Sequence, residues 1–251
     1  MAEAKILFLD IETSPLLGYA WGLYEQNLLS VVEDWKILSV AWKWADEKRI
    51  KVVALNDTPE KELLGVLWAI LDEADIVVAH NGDRFDIRKT NAKLLEHGFA
   101  PPSTYKTIDT LKVARKHFKF DSNRLTDLAE ALGLGSKLPN PGFAMWLGCM
   151  RGDAASWKKM KEYNVHDVVL LEGVYLKLRP WHTSHPNLAL YSEHPHESCP
   201  RCSSDHVQRR GMTYARTQVR QRWHCTDCGS WYSGKIVRRD VTTQRDHAPK
   251  S

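Results

Sequence analysis

The residues with the greatest chemical reach are acids in three short patterns: Asp10-Ile11-Glu12, Asn81-Gly82-Asp83-Arg84-Phe85-Asp86 and Tyr163-Asn164-Val165-His166-Asp167. Asp10 and Glu12 lie two apart on an extended segment, so their side chains point to one face. Asp86 falls in the first turn of a helix, where the dipole favours a carboxylate. Tyr163 and Asp167 are four apart on a long helix and share a face. Four acids brought to one point would repel each other strongly. Divalent cations relieve such repulsion, and carboxylate oxygens suit Mg²⁺ or Mn²⁺. Two such ions about 3.5–4 Å apart can activate a water and stabilise the leaving oxygen of a phosphodiester.

Each pattern also has a plainer reading. Asp10 can be an acid at the end of an apolar strand, Asp83 and Asp86 ordinary acids at a helix start, and Tyr163 a core aromatic in line with Met160 and Val174. An Asn-Gly turn can set the helix start over the sheet edge, with Phe85 anchoring that helix in the core. His166 points about 100° away from Asp167 around the helix, which suits packing or surface better than proton transfer.

A second constellation is sulfur. Cys199-x-x-Cys202 and Cys225-x-x-Cys228 form two pairs, the spacing of a closed tetrahedral structural Zn²⁺ site. Two disulfides or a redox pair are the alternatives. So small a module with little other core favours a metal staple. Arg209, Arg210, Arg216, Arg220, Arg222, Arg238 and Arg239 crowd around it, with Tyr214, Trp223, Trp231 and Tyr232 among them. Arginine interleaved with aromatics suits phosphate contact and base stacking. Trp223 and one of Trp231 or Tyr232 are expected in the module's own small core. Cys149 is left over as an ordinary loop or core thiol.

The elements that must position these groups can be read from periodicity and punctuation. Ala4–Asp10 reads as a buried strand broken at Thr13-Ser14-Pro15, and Ile37–Ala45 and Arg49–Leu55 read as two more. Thr58 is expected to cap a helix with Pro59 in its first turn and an apolar face of Leu63, Leu64, Leu67, Trp68, Ile70 and Leu71. Ile76–Ala79 is a short strand, followed by a helix from about Asp83 to His97. Tyr105–Ile108 is a fifth strand. Helices follow from Thr110 to about His117 and from Asn123 to Leu132. Gly135–Gly152 reads as a loop with a short helical turn, and Asp153–Leu178 as one long helix. Three strands, then helices alternating with two more, imply a mixed α/β sheet. Residues 179–198, rich in His and Pro, read as an interdomain linker or a strap packed on the body. Val207–Arg222 and Trp231–Arg239 read as a small antiparallel sheet.

The chain has 251 residues, 43% hydrophobic and 26% charged, enough for one full core and a small appendage. The net charge of +4 is uneven. Residues 199–251 hold 11 Lys and Arg against 4 Asp and Glu, whereas the remainder holds 24 against 27. A basic module on a slightly acidic body points to a polyanion, with a solubility tail as the plainer alternative. No apolar run reaches the ~18 residues of a membrane span. No signal-peptide pattern precedes the first strand, and five cysteines then suit a reducing cytoplasm.

The three acidic segments resemble those of the DEDD superfamily of 3′–5′ exonucleases. In that family Asp-x-Glu, Asn-x-x-x-(Phe/Tyr)-Asp and a third helical motif supply the metal-binding acids on an RNase H-like fold. Asp10, Glu12, Asp86 and Asp167 match these positions, and Asn81 and Phe85 complete the second motif as candidate nucleic-acid contacts. The Tyr163-x-x-x-Asp167 spacing is similar to that of the tyrosine branch (DEDDy), which includes proofreading domains of family B DNA polymerases. The resemblance covers about residues 4–178. It includes Ile108-Asp109-Thr110, where Asp109 is expected to cap or support.

The resemblance implies an RNase H-like five-stranded mixed sheet flanked by helices. It implies Mg²⁺ or Mn²⁺ held by Asp10, Glu12 and Asp167, with Asp10 bridging to a second ion near Asp86. Tyr163 would orient the attacking water, and 5′-mononucleotides would leave from a 3′ end. The C-terminal part resembles zinc ribbons appended to phage and mobile-element proteins. The expected organisation is an exonuclease domain over residues 1–178, a linker over 179–198, a zinc ribbon over 199–239 and a basic tail over 240–251. The expected partner is nucleic acid, DNA ahead of RNA, with a replication or repair protein as a further candidate. A structure-selective endonuclease on the same fold and a non-catalytic nucleic-acid-binding protein are the rival readings.

Overall fold

Alternation along one strand decides the architecture. In the computed structural model, which describes residues 3–24, 27–135, 142–192 and 198–239, Ile6–Thr13 forms β1. Leu7, Leu9 and Ile11 point to one face and Phe8, Asp10 and Glu12 to the other. The first set packs with Leu63, Leu64, Leu67 and Leu71 of helix α1, Glu60–Glu73. On the other face Phe8 meets Tyr175 of helix α6, Ala154–Leu178, with ring centroids 5.4 Å apart. One residue more or less in the strand would therefore turn both acids into the apolar core.

The remaining strands are β2 (Leu17–Tyr19), β3 (Ser30–Glu33), β4 (Ile37–Trp44), β5 (Lys51–Ala54), β6 (Ile76–Ala79) and β7 (Lys106–Asp109). The main sheet has the order β5-β4-β1-β6-β7. β4 is antiparallel to β1 and β5, while β1, β6 and β7 run parallel. This is the mixed five-stranded sheet expected, and the strand bearing Asp10 and Glu12 is at its centre. Helices α2 (Asp86–Glu96), α3 (Thr110–His117), α4 (Leu125–Ala131) and α5 (Phe143–Met150) complete this part of the chain. Met145 and Cys149 of α5 pack with Trp157 and Met160 of α6 and with Leu38 of β4. The leftover thiol is thus a core thiol, and burial pushes it up to about 11.

Several local expectations need correction. β1 runs through Thr13, so both acids lie inside the strand. β2 and β3 form a separate two-stranded hairpin that was not anticipated. Its residues are mostly exposed, so no buried face imposed a pattern on the sequence. Pro59 occupies the N-cap of α1, and Thr58 Oγ1 donates to Glu62 Oε2 at 2.6 Å instead of capping backbone. α2 begins at Asp86, three residues later than expected, because residues 81–85 form the preceding turn. α5 is a true helix where a loop with a turn was expected; residues 136–141 of that stretch lie outside the described residues.

The chain divides into two compact units, residues 5–178 and a second made mainly of residues 179–251. The second contains β8 (Val207–Tyr214), β9 (Gln218–Cys225) and β10 (Trp231–Arg239), an antiparallel sheet in the order β10-β9-β8. The expected linker folds with this unit, as two short 3₁₀ turns. Leu188 N donates to Pro200 O, Ser203 Oγ donates to Leu188 O, and the Arg201 guanidinium reaches Thr183 O and His185 O. The segment's described residues are therefore held by the cysteine module, where a linker or a strap on the body was expected; residues 193–197 lie outside the described residues. The expected basic tail, residues 240–251, lies outside the described residues.

Candidate functional site

Three elements converge on the α6 side of β1. Asp10 and Glu12 reach it by strand parity, opposite Ala41 and Ser39 of β4. Asp167 reaches it from α6. One carboxylate oxygen from each of Asp10, Glu12 and Asp167 lies within 4.8 Å of the other two.

Asp86 arrives from the third side by a turn that only certain residues can make. β6 pairs with β1 only through Phe8, after which the two strands part. The Ile11 N–H on that edge lacks a strand partner, and Asp86 Oδ1 accepts from it at 3.1 Å. Asn81 takes a left-handed φ of 64°. A Cβ on Gly82 would stand 2.4 Å from Ala79 Cβ, so no other residue fits there without displacement. Asp109, which caps α3 through Leu111 N and Lys112 N, also accepts from Asn81 N at 2.9 Å. Its capping role is as expected, and it additionally braces the turn that delivers Asp86. Asp86 stands outside the group of three oxygens but close enough for its charge to act on Asp10 and Glu12. Phe85 packs against the core, as its anchoring role required.

Electrostatics follow from this crowding. Burial, then the neighbouring Glu12, Asp86 and Asp167, hold Asp10 well above the usual carboxylate range. Burial, then Asp167 and Asp86, push Glu12 up to about 8. Burial raises Asp86 to about 7 against the hydrogen bond from Ile11 N–H, and Asp167 to about 6 against the hydrogen bond from Tyr163. Tyr163 is raised by burial and by the nearby charges of Asp167, Glu12 and Asp10, so its hydroxyl stays protonated beside them. Its ring also packs edge-on against Trp146, with centroids 6.2 Å apart, as the core-aromatic reading has it.

Reading the acids alone missed Asn164 and Ser39. Both are fully buried. Asn164 Nδ2 donates to Asp10 Oδ2 at 2.6 Å and to Asp10 O at 3.2 Å, and Ser39 Oγ donates to Asn164 Oδ1 at 2.6 Å. This chain holds one oxygen of Asp10 in place. The available signal was a polar residue in the buried stripe of Met160, Asn164, Asp167 and Leu171. His166 is half-buried on the next face of the helix and belongs to neither ligand group.

The donor set fits hard divalent cations. It consists of oxygens from Asp10, Glu12 and Asp167, the first two half-buried and the third buried, and repulsion among the acids helps raise Asp10 and Glu12. Asp167 Oδ1 is buried without a hydrogen-bond partner among the described residues.

The sulfur cluster fits a different ion. The Sγ atoms of Cys199, Cys202, Cys225 and Cys228 all lie within 4.8 Å of one another, and none is in a disulfide. The Cys199–Cys228 and Cys202–Cys225 separations are both 3.7 Å. A tetrahedron with Zn–S bonds of about 2.3 Å has edges of ~3.8 Å. Among the described residues no histidine joins either ligand group. Tyr232 is half-buried beside the thiols and Trp223 half-buried beside Gly234, whereas Trp231 is exposed; the small core takes the first two.

The arginines divide. Arg209 lies 5.3 Å from the Trp223 ring and Arg222 5.1 Å from Trp231. Arg222 Nε donates to Arg210 O, Arg210 to Gln208 Oε1, and Arg220 to Gly234 O. Arg216, Arg238 and Arg239 are at the opposite end of the sheet from the cysteines.

The sequence profile of the RNase_H superfamily matches residues 7–179. No curated protein matches the chain. Among solved structures, the family B DNA polymerase from the hyperthermophilic archaeon Pyrobaculum calidifontis is similar over 86% of this chain, with TM-score 0.57 and 14% identity. The match spans only 32% of the polymerase chain, and at that identity the likeness is one of fold. No helix among the described residues is long and apolar enough to cross a membrane.

Proposed function

The chain belongs to the RNase H superfamily, and from that premise we propose that it is a metal-dependent 3′–5′ exonuclease of the tyrosine branch. The observation that carries this reading is the group of Asp10, Glu12 and Asp167 on one face, with Tyr163 one helical turn before Asp167. Asp10, Glu12 and Asp167, with Asp86 behind them, would hold two Mg²⁺ or Mn²⁺ ions. When bound, such ions supply Lewis acidity and make water a nucleophile near neutral pH.

The chain's own groups do the positioning. Asn164, braced by Ser39, fixes the Asp10 carboxylate. Tyr163 keeps its proton and presents an O–H beside Asp167, where it orients a water toward the terminal phosphorus. The water oxygen forms the new P–O bond, the P–O3′ bond breaks, and the 3′ oxygen leaves as the hydroxyl of the shortened strand. The product is a 5′-mononucleotide. The four thiolates would hold one Zn²⁺ that folds the second unit as a zinc ribbon, which binds the nucleic acid, DNA ahead of RNA. A replication or repair protein is a further candidate partner.

The test uses 5′-labelled single-stranded and duplex DNA and RNA with Mg²⁺ or Mn²⁺. A ladder shortening from the 3′ end is expected. Discrete internal products would instead identify an endonuclease, and binding without cleavage a non-catalytic protein.

A further inference from the structure

The seven arginines of the three-stranded sheet and its turns do not form one uniform basic surface. Arg209, Arg210, Arg220 and Arg222 are held by a tryptophan ring, a side-chain amide or a backbone carbonyl of the module itself. These contacts brace the sheet. Arg216, Arg238 and Arg239 make no such contact among the described residues, and all three line one cleft of about 350 Å³ with Tyr214 and Gln218.

The backbone explains why they meet. Ala215 N donates to Gln218 O at 2.9 Å, closing a tight turn with Arg216 and Thr217 at its centre. Arg239 pairs with Gln218 and Arg238 with Val219 across β9 and β10, so the end of β10 lies beside that turn. Tyr214, the last residue of β8, is 75% exposed there. No carboxylate lines the cleft among the described residues. Three like charges around one hollow repel each other until an anion enters. β9 runs from Gln218 to Cys225, so this hollow lies about 23 Å along the strand from the thiols.

We propose that Arg216, Arg238 and Arg239, with Tyr214 beside them, form a phosphate clamp for single-stranded nucleic acid at the sheet tip remote from the cysteine cluster. The guanidiniums take successive backbone phosphates and Tyr214 offers a face to a base. The bracing arginines contribute to the fold of the module and little to strand contact. This deepens, and rests on, the reading of the second unit as a nucleic-acid grip, but it does not require the carboxylate site to cleave.

The test is binding of the full-length, Zn²⁺-loaded chain to a fluorescent single-stranded DNA oligonucleotide without Mg²⁺ or Mn²⁺, over a range of KCl. Each lost phosphate contact lowers the slope of log affinity against log salt by about 0.7 on single strands. Arg216→Gln/Arg238→Gln/Arg239→Gln should therefore lower it by about 2. Between 50 and 200 mM salt the wild type should then lose roughly 20-fold more affinity than the variant. Bound zinc should be unchanged. The triple Lys variant retains the charges and should retain most of the slope, which separates lost contact from lost fold. Tyr214→Ala should weaken binding without altering the slope. An unchanged slope in a zinc-loaded Gln variant overturns the proposal, as does loss of slope in the Lys variant equal to that in the Gln variant. Anionic vesicles or an acidic peptide bound more tightly than the oligonucleotide would also overturn it. Cleavage of short oligonucleotides with Mn²⁺ is scored separately: cleavage with an unchanged slope defeats the clamp alone, and a lowered slope without cleavage defeats the nuclease reading alone.

Discussion

Glu12→Gln will stabilise the protein in the absence of Mg²⁺ and Mn²⁺, and only at neutral to alkaline pH. Burial and the neighbouring Asp167 and Asp86 raise Glu12 from 4.5 to about 8. In the unfolded chain Glu12 releases its proton near 4.5, and in the folded chain only near 8. Between these values the native state binds more protons, so stability falls as pH rises across that window. Below it there is no penalty, and above it the penalty is complete. Each pKa unit is worth about 1.36 kcal/mol, giving an upper bound of about 5 kcal/mol for Glu12. Asp10 is raised by the same neighbouring acids and shares the proton with Glu12, so the realised effect is a few kcal/mol. For a chain of this size that is roughly 10 °C in Tm. The assay is thermal unfolding of wild type and Glu12→Gln with one equivalent of Zn²⁺ and no other divalent ion, at about pH 5 and about pH 9. The curves should nearly coincide at the lower pH and separate at the higher, with the variant above the wild type. Adding Mg²⁺ should raise the wild type far more than the variant. A variant equal to or less stable than wild type at the higher pH would refute the account of Glu12 as a buried acid under repulsion.

Five further outcomes rest on the same geometry. Asp10→Ala or Asp167→Ala should abolish cleavage while leaving the circular dichroism spectrum intact, and near-normal cleavage in either would remove these residues from the site. Tyr163→Phe should slow single-turnover cleavage by roughly tenfold, about 1.4 kcal/mol, with Mn²⁺ binding unchanged by calorimetry; unaltered turnover would return Tyr163 to packing alone. Asn164→Ala removes the amide that holds Asp10 and leaves the buried Ser39 hydroxyl without its acceptor. It should cost about 1.5–3 kcal/mol in chemical unfolding and raise the Mn²⁺ concentration needed for half-maximal binding. Cys225→Ser should release zinc and unfold the second unit locally, since such ions supply about 10–16 kcal/mol to folding. The chain truncated after Leu178 should still melt cooperatively, because residues 5–178 form their own compact unit.

What could be read from the sequence was whatever local chemistry dictates. Strand β1, the short β6, helix α3 and the long α6 announce themselves by apolar runs, by period and by the stops at Gly and Pro, and their bounds shift by few residues. Strand parity alone puts Asp10 and Glu12 on one face, and helix period alone puts Tyr163 beside Asp167. The two Cys-x-x-Cys pairs likewise needed no fold, because a four-thiol site is legible in ligand type and spacing.

Tertiary structure decided the rest, because each remaining feature depends on a partner distant in the chain. Nothing near Ile11 reveals that its N–H would lose a strand partner and take Asp86, 75 residues on, as acceptor. Nothing near Asn164 shows that it would join Ser39 to Asp10, 125 and 154 residues away. The β2–β3 hairpin buries no face and so left no periodic trace, and the seven arginines are alike in sequence until contacts brace four of them. Local sequence fixes which way a side chain points through backbone period, but what it meets there is set by long-range packing, which carries no signature in a short window of residues.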